Sequence, residues 1–192
     1  MDIFKKYVLP IFDQTQIGCG VIVGSYFITA GHIMQNNLIL KTYFNKKAIL
    51  LQKNNLVSVC YTNDVPNKDF CIFRLNEKIS PIQIADYIPI SNQTFFCVAY
   101  NTMADSRPSS SLKGIWAYKE RIEPIITSVV SRKEKQGELF ACNSIDVLLK
   151  PGNSGSPLFD KDGLLVGILS GGIEKTALCF FQSVLSFRQL VD

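Results

Sequence analysis

The chain holds one histidine, His32, so any chemistry that needs an imidazole must run through that single ring. None of its six cysteines (Cys19, Cys60, Cys71, Cys97, Cys142 and Cys179) forms a C-x-x-C pair, which argues against zinc-ribbon and thioredoxin-like chemistry. Most lie in apolar, strand-like runs and read as reduced, buried hydrophobes. No apolar run approaches the ~18 residues of a membrane span. Nor does the N-terminus read as a signal peptide: Asp2 comes early, Tyr7–Phe12 is short and broken by Pro10, and no small-residue cleavage site follows. For a chain not cut from a longer precursor, the expected location is cytoplasmic. Charge of one sign is scarce as well. Twenty Lys and Arg against 16 Asp and Glu leave only +4, scattered in pairs such as Lys5-Lys6 and Lys46-Lys47. The cluster Arg132-Lys133-Glu134-Lys135 carries its own acid and reads as a solvated turn. Neither nucleic acid nor a membrane is an expected partner.

What is present is short apolar segments. With 192 residues, 47% of them hydrophobic, the chain suits one globular unit or two small subdomains. Ile17–Val23 and Ser25–Ala30, separated around Gly24, read as a hairpin. Leu38–Phe44, Ala48–Gln52, Leu56–Tyr61 and Asp69–Leu75 read as further strands. Asn76–Asn92, with Pro81 and Pro89, reads as a crossing between subdomains, 1–82 and 83–192. Strand signals resume at Thr94–Tyr100. The Ser-rich Asp105–Gly114 is expected to be an exposed loop. Ile115–Arg121, Ile125–Ser131, Glu138–Asn143, Ser156–Phe159, Leu164–Leu169 and Ala177–Val184 complete the set, with a short closing helix over Leu185–Asp192. About a dozen short strands without long helical periodicity predict an all-β barrel or sandwich.

Three stretches carry chemistry. Lys150–Asp160 centres on Gly152-Asn153-Ser154-Gly155. Glycines allow positive φ, so that successive N–H groups can converge on one spot and a serine held there can attack a carbonyl. The same letters also fit a plain turn between strands. His32 follows the buried strand Tyr26-Phe27-Ile28-Thr29-Ala30, and a lone histidine is more often a satisfied structural residue than a catalyst. Asp69 opens the apolar strand Asp69–Leu75, where a partly buried carboxylate needs a partner. It outranks Asp64, which lies in the loop-like Thr62-Asn63-Asp64-Val65-Pro66.

Taken in order, these segments resemble the chymotrypsin/trypsin-like serine proteases. Phe27–His32 is similar to their Leu-Thr-Ala-Ala-His, Asp69–Leu75 to their Asp-Ile-Ala-Leu-Leu-Arg-Leu, Gly152–Pro157 to their Gly-Asp-Ser-Gly-Gly-Pro, and Leu165–Gly172 to the Gly-Ile-Val-Ser-Trp-Gly wall of their substrate cleft. An α/β-hydrolase would run Ser, acid, His from G-x-S-x-G; here the order is His, Asp, Ser, and Ser156 replaces the second glycine. The resemblance implies two antiparallel six-stranded β-barrels, with the active site in the cleft between them. It implies a serine endopeptidase with the triad His32, Asp69 and Ser154 and an oxyanion hole at Gly152, Asn153 and Ser154, chiefly the Gly152 and Ser154 N–H groups. Substrate-binding positions fall at Leu148, Leu149, Ser170, Gly171 and Gly172, with Ser170 beside the acid. A protein or peptide is the implied partner, and no cofactor or metal is called for. Leu148 falls near the floor of the primary pocket, where trypsin-like enzymes have an acid. The resemblance thus implies an uncharged apolar side chain before the cut, with Phe180 or Phe181 narrowing the pocket.

The departures refine this. Asp146–Gly155 looks closest to the Asp-x-x-x-x-Pro-Gly-Asn-Ser-Gly of HtrA/Deg-type proteases, without their PDZ domain. Asn153 stands where secreted members have the aspartate that pairs with a new N-terminus, so zymogen activation by that route is not expected. Cys19 sits where they have one half of a disulfide, but Ile33 follows the histidine in place of the other half, so no such bond is expected. An inactive binding module of the same fold, and a viral polyprotein-processing protease, are the alternative functions.

Overall fold

The computed structural model describes residues 5–13, 16–35, 39–45, 47–62, 68–100, 124–136 and 138–191. Seven strands form the N-terminal sheet: β1 (Val8–Phe12), β2 (Gln16–Val23), β3 (Tyr26–Thr29), β4 (Ile39–Phe44), β5 (Lys47–Gln52), β6 (Leu56–Thr62) and β7 (Lys68–Arg74). They lie in the order β5-β4-β1-β2-β3-β7-β6. The second unit is a closed barrel of six strands: β8 (Thr94–Tyr100), β9 (Pro124–Gln136), β10 (Leu139–Ser144), β11 (Pro157–Phe159), β12 (Leu165–Gly172) and β13 (Leu178–Ser183), ordered β10-β13-β12-β11-β8-β9. All strand pairings are antiparallel, and no described helix exceeds a single short 3-10 turn. This is the trypsin-like double-barrel architecture, although the N-terminal half is an open seven-stranded half-barrel rather than the expected closed barrel of six; Phe12, Phe27 and Phe73 are fully buried in one half and Phe95 and Phe181 in the other.

Most strands sit where alternation and β-branching place them. β1 is the exception, because Pro10 reads as a breaker. Val8–Phe12 is nevertheless wholly buried and pairs with β2. Proline lacks the N–H that a ladder needs. On the β4 side, where pairing is confined to Phe12 and Lys41, the Thr42 hydroxyl donates to the Pro10 carbonyl at 2.8 Å and bridges the gap. The charged run Arg132–Lys135 is not a turn. β9 continues through it to Gln136, and a register shift opposite Phe140–Cys142 absorbs the extra residues. The expected closing helix is replaced by two 3-10 turns, Val184–Ser186 and Arg188–Leu190. The expected Asp105–Gly114 loop and Ile115–Arg121 strand lie outside the described residues. Among the described residues no helix is long and apolar enough to cross a membrane.

Candidate active site

His32 lies in a 3-10 turn, Gly31–Met34, that takes the chain out of β3. Gly31 fits there because it lies flat on β6: a Cβ on it would sit 2.2 Å from the Cys60 carbonyl. Ile33, where the resemblance would have a cysteine, is buried and fills the space over Gly18; a Cβ there would meet its Cδ1 at 2.3 Å. All six cysteines are free. The imidazole is half-buried, with Tyr61 edge-on at 6.0 Å between ring centroids.

Asp69 is 3% exposed, and its carboxylate accepts three hydrogen bonds. Oδ1 accepts the His32 backbone N–H at 2.9 Å, and Oδ2 accepts His32 Nδ1 at 2.8 Å and the Ser170 hydroxyl at 2.5 Å. An ionised carboxylate only accepts, so the proton belongs to Nδ1, and the neutral ring keeps its lone pair on Nε2. Two bonds from His32 to one carboxylate fix both the position of the ring and its tautomer. The other half of the molecule supplies the rest. Ser170 is the bulged residue of β12, skipped between the pairs Leu169–Phe181 and Gly171–Phe180, and the bulge re-aims its side chain toward the acid. From β13, Gln182 Oε1 accepts the Asp69 N–H at 2.7 Å.

The serine loop is held by its backbone. Gly152 and Gly155 adopt φ of 90° and 82°, which side-chain-bearing residues rarely do. Gly155 donates to the Leu169 carbonyl at 2.7 Å, one residue before Ser170. Across the cleft the Ser154 carbonyl accepts the Cys19 N–H at 2.7 Å, and Thr29 Oγ1 donates to the Cys19 carbonyl at 2.6 Å. A Cβ on Gly155 would lie 2.1 Å from the Cys19 carbonyl oxygen and 3.1 Å from the Ala30 nitrogen. The residue after Ser154 thus abuts the residue two before His32. Burial pushes the adjacent Cys19 thiol up to about 11, so it is no thiolate at neutral pH and does not compete as a nucleophile.

The geometry corrects part of the expected site. Asn153 is not an oxyanion donor: its N–H is taken by the Lys150 carbonyl at 2.9 Å. Its side chain is structural, accepting Lys150 N–H at 2.8 Å and donating to the Tyr100 carbonyl at 2.6 Å. Leu148 is 44% exposed, and Leu149 packs against the core. Neither of them, nor Ser154, lines the cleft of about 350 Å³ that contains His32 and Asp69. Its walls include Tyr61, Leu139 and Phe180, with Ser170, Gly171 and Gly172 along one side and Lys68 at the rim. Phe181, by contrast, is fully buried and stacks on Phe140 at 5.9 Å. Lys68 reaches across to Glu138 at 3.1 Å, joining the two halves. Asp64 lies outside the described residues. Gln182, Tyr61 and Lys68 escape sequence reasoning. The one available signal is a glutamine interrupting the apolar Leu178–Phe181 run. Among the described residues no cluster of three or more His, Cys, Asp or Glu is placed to hold a metal ion.

The family model described as Trypsin-like peptidase domain matches residues 18–168. No curated protein matches the chain in sequence. Among solved structures, neuropsin, a serine protease from mouse brain, superposes with a TM-score of 0.69 at 16% identity, covering 96% of this chain and 92% of its own. The active form of the Rv3671c protease of M. tuberculosis gives 0.68 at 14% identity, covering 97% and 80%. Tobacco etch virus protease bound to product gives 0.67 at 15% identity, covering 100% and 81%. At these identities the likeness establishes the fold.

Proposed function

Because the chain belongs to the trypsin-like peptidase domain family, we propose that it is a serine endopeptidase in which Ser154, His32 and Asp69 act together. The observation that carries this reading is the double hydrogen bond from His32 to Asp69, at 2.9 and 2.8 Å, beside a serine loop whose backbone is bound to Cys19. In this reading Ser154 Oγ attacks the substrate carbonyl and His32 Nε2 takes the hydroxyl proton. The carbonyl π electrons move onto oxygen, where the Ser154 and Gly152 N–H groups receive the charge. His32 then returns its proton to the leaving amine as the C–N bond breaks, and a water repeats the sequence on the acyl-enzyme. Asp69 stabilises the imidazolium throughout. Residues 1–82 contribute the base and acid, and residues 83–192 contribute the nucleophile.

We assign an uncharged apolar preference before the scissile bond. Tyr61, Leu139 and Phe180 line the cleft, its one described carboxylate, Asp69, is buried and engaged by His32 and Ser170, and Lys68 stands at the rim, so an entering Lys or Arg would find no accessible counter-charge. The six free thiols, with Cys142 and Cys179 directly opposed on neighbouring strands, support a reducing, intracellular site of action.

A fluorophosphonate probe tests the reading. Labelling of the wild type that disappears in Ser154→Ala is expected, with a loss of roughly 10,000-fold or more in kcat/KM for either Ser154→Ala or His32→Ala. A folded but unlabelled wild type would instead make the chain a binding module on the same scaffold. Peptide-library cleavage chiefly after Lys or Arg would refute the specificity.

A further inference from the structure

We propose that Gln182 is a positioning residue for the catalytic acid, a role that in its kinetic consequence rests on the peptidase reading above. On one side of β7 its partner β3 ends with the pair Thr29–Cys71. Two residues further along, the Asp69 N–H points the same way as that of Cys71, into space that β3 no longer covers. A buried donor left there would cost about 1–3 kcal/mol. Gln182 Oε1 takes this N–H at 2.7 Å, reaching across 113 residues of sequence from the other barrel.

Nothing in the barrel core calls for a glutamine here. Gln182 follows the fully buried Phe181, and is itself 0% exposed. An apolar residue would fill the space without an amide to satisfy. The amide is satisfied in one orientation only. Its oxygen must face the Asp69 donor, and its nitrogen then donates to Ser186 Oγ at 2.6 Å, with a longer contact to the Ser183 carbonyl at 3.4 Å. Ser186 belongs to the 3-10 turn Val184–Ser186. The C-terminal turn thus sets the amide, the amide sets the Asp69 backbone, and the Asp69 carboxylate sets the His32 ring. Gln182 pairs with Ile168 on β12, two residues from Ser170, so neighbouring strands grip the acid at backbone and carboxylate.

Three variants test the role. Gln182→Met keeps the volume and removes the acceptor; Gln182→Glu keeps an acceptor at the same reach; Ser186→Ala leaves the acceptor but frees the amide to rotate. Well below the melting temperature, Gln182→Met is expected to lower kcat about 10- to 100-fold with KM within about twofold, Gln182→Glu to recover most of the loss, and Ser186→Ala to fall between. Histidine labelled with 15N gives one set of ring signals, because the chain has one imidazole. The wild type is expected to show the Nδ1–H tautomer and Gln182→Met a mixture. The spectrum reads out whether or not the protein turns over peptides: an inactive wild type with a fixed tautomer sinks the peptidase reading alone. A Gln182→Met protein with wild-type kcat and tautomer and only a lowered melting temperature overturns the positioning role. Should that variant not fold, a wild-type kcat and tautomer in Ser186→Ala overturns it equally.

Discussion

The Ser170 hydroxyl and the Asp69 carboxylate, 101 residues apart in sequence and in opposite halves of the molecule, meet at 2.5 Å. The bulge at Ser170 makes this contact possible, and the contact leaves Asp69 Oδ2 with two donors rather than one. Ser170→Ala keeps the His32 bonds and removes one charge-assisted bond, typically about 1.5–3 kcal/mol. The expected outcome is a fall of roughly 10- to 100-fold in kcat/KM, measured on a peptide substrate, with little change in folding.

Asn153 is a structural clasp. Its side chain joins Lys150 N–H to the Tyr100 carbonyl, and the residue is only 2% exposed. Asn153→Asp would turn the donor into a second acceptor facing the Tyr100 oxygen, at a cost of about 3 kcal/mol or more. Chemical denaturation should show a lowered midpoint for Asn153→Asp.

The adjacent aromatics Phe180 and Phe181 point to opposite faces of β13, as strand alternation requires. Phe181→Ala should lose about 3–5 kcal/mol of stability. Phe180→Ala should leave the melting temperature nearly unchanged and alter KM and side-chain preference instead. Melting curves and substrate profiling of the two variants separate these effects.

Alkaline pH should destabilise the fold through its thiols. Burial raises Cys19 to about 11 and Cys71 and Cys179 to about 12, against 9.0 for an ordinary thiol. Each folded-state value is raised, so the stabilisation is fully present below about pH 9 and is lost as pH rises toward 11–12. In that window each thiol contributes a slope of up to roughly 1.4 kcal/mol per pH unit. Denaturation at pH 8 to 10 should become less steep in pH when Cys71 is replaced by Ala.

Much of this was legible in the sequence. The hairpin of β2 and β3, and strands β4 to β8, follow from apolar alternation between turn residues. β1 was not, because Pro10 reads as a breaker and the Thr42 hydroxyl that meets its carbonyl lies 32 residues away. The charged stretch of β9 misled for a related reason: solvent-facing strand extensions and turns have the same composition. At the site, the residue types of His32, Asp69 and Ser154 were readable. Leu148 was placed by resemblance alone, and a resemblance in sequence does not give the path of a loop. Gln182 offered only an interruption of the apolar Leu178–Phe181 run; what it does depends on where β3 stops.

The bond between the Cys19 N–H and the Ser154 carbonyl has one more consequence. It sutures the serine loop to the opposite half of the molecule, while Gln182 and Ser170 suture the acid in the reverse direction. A hinge rotation that parted the halves would tear all three at once. These three bonds therefore resist parting of the halves and favour stationary halves around the groove.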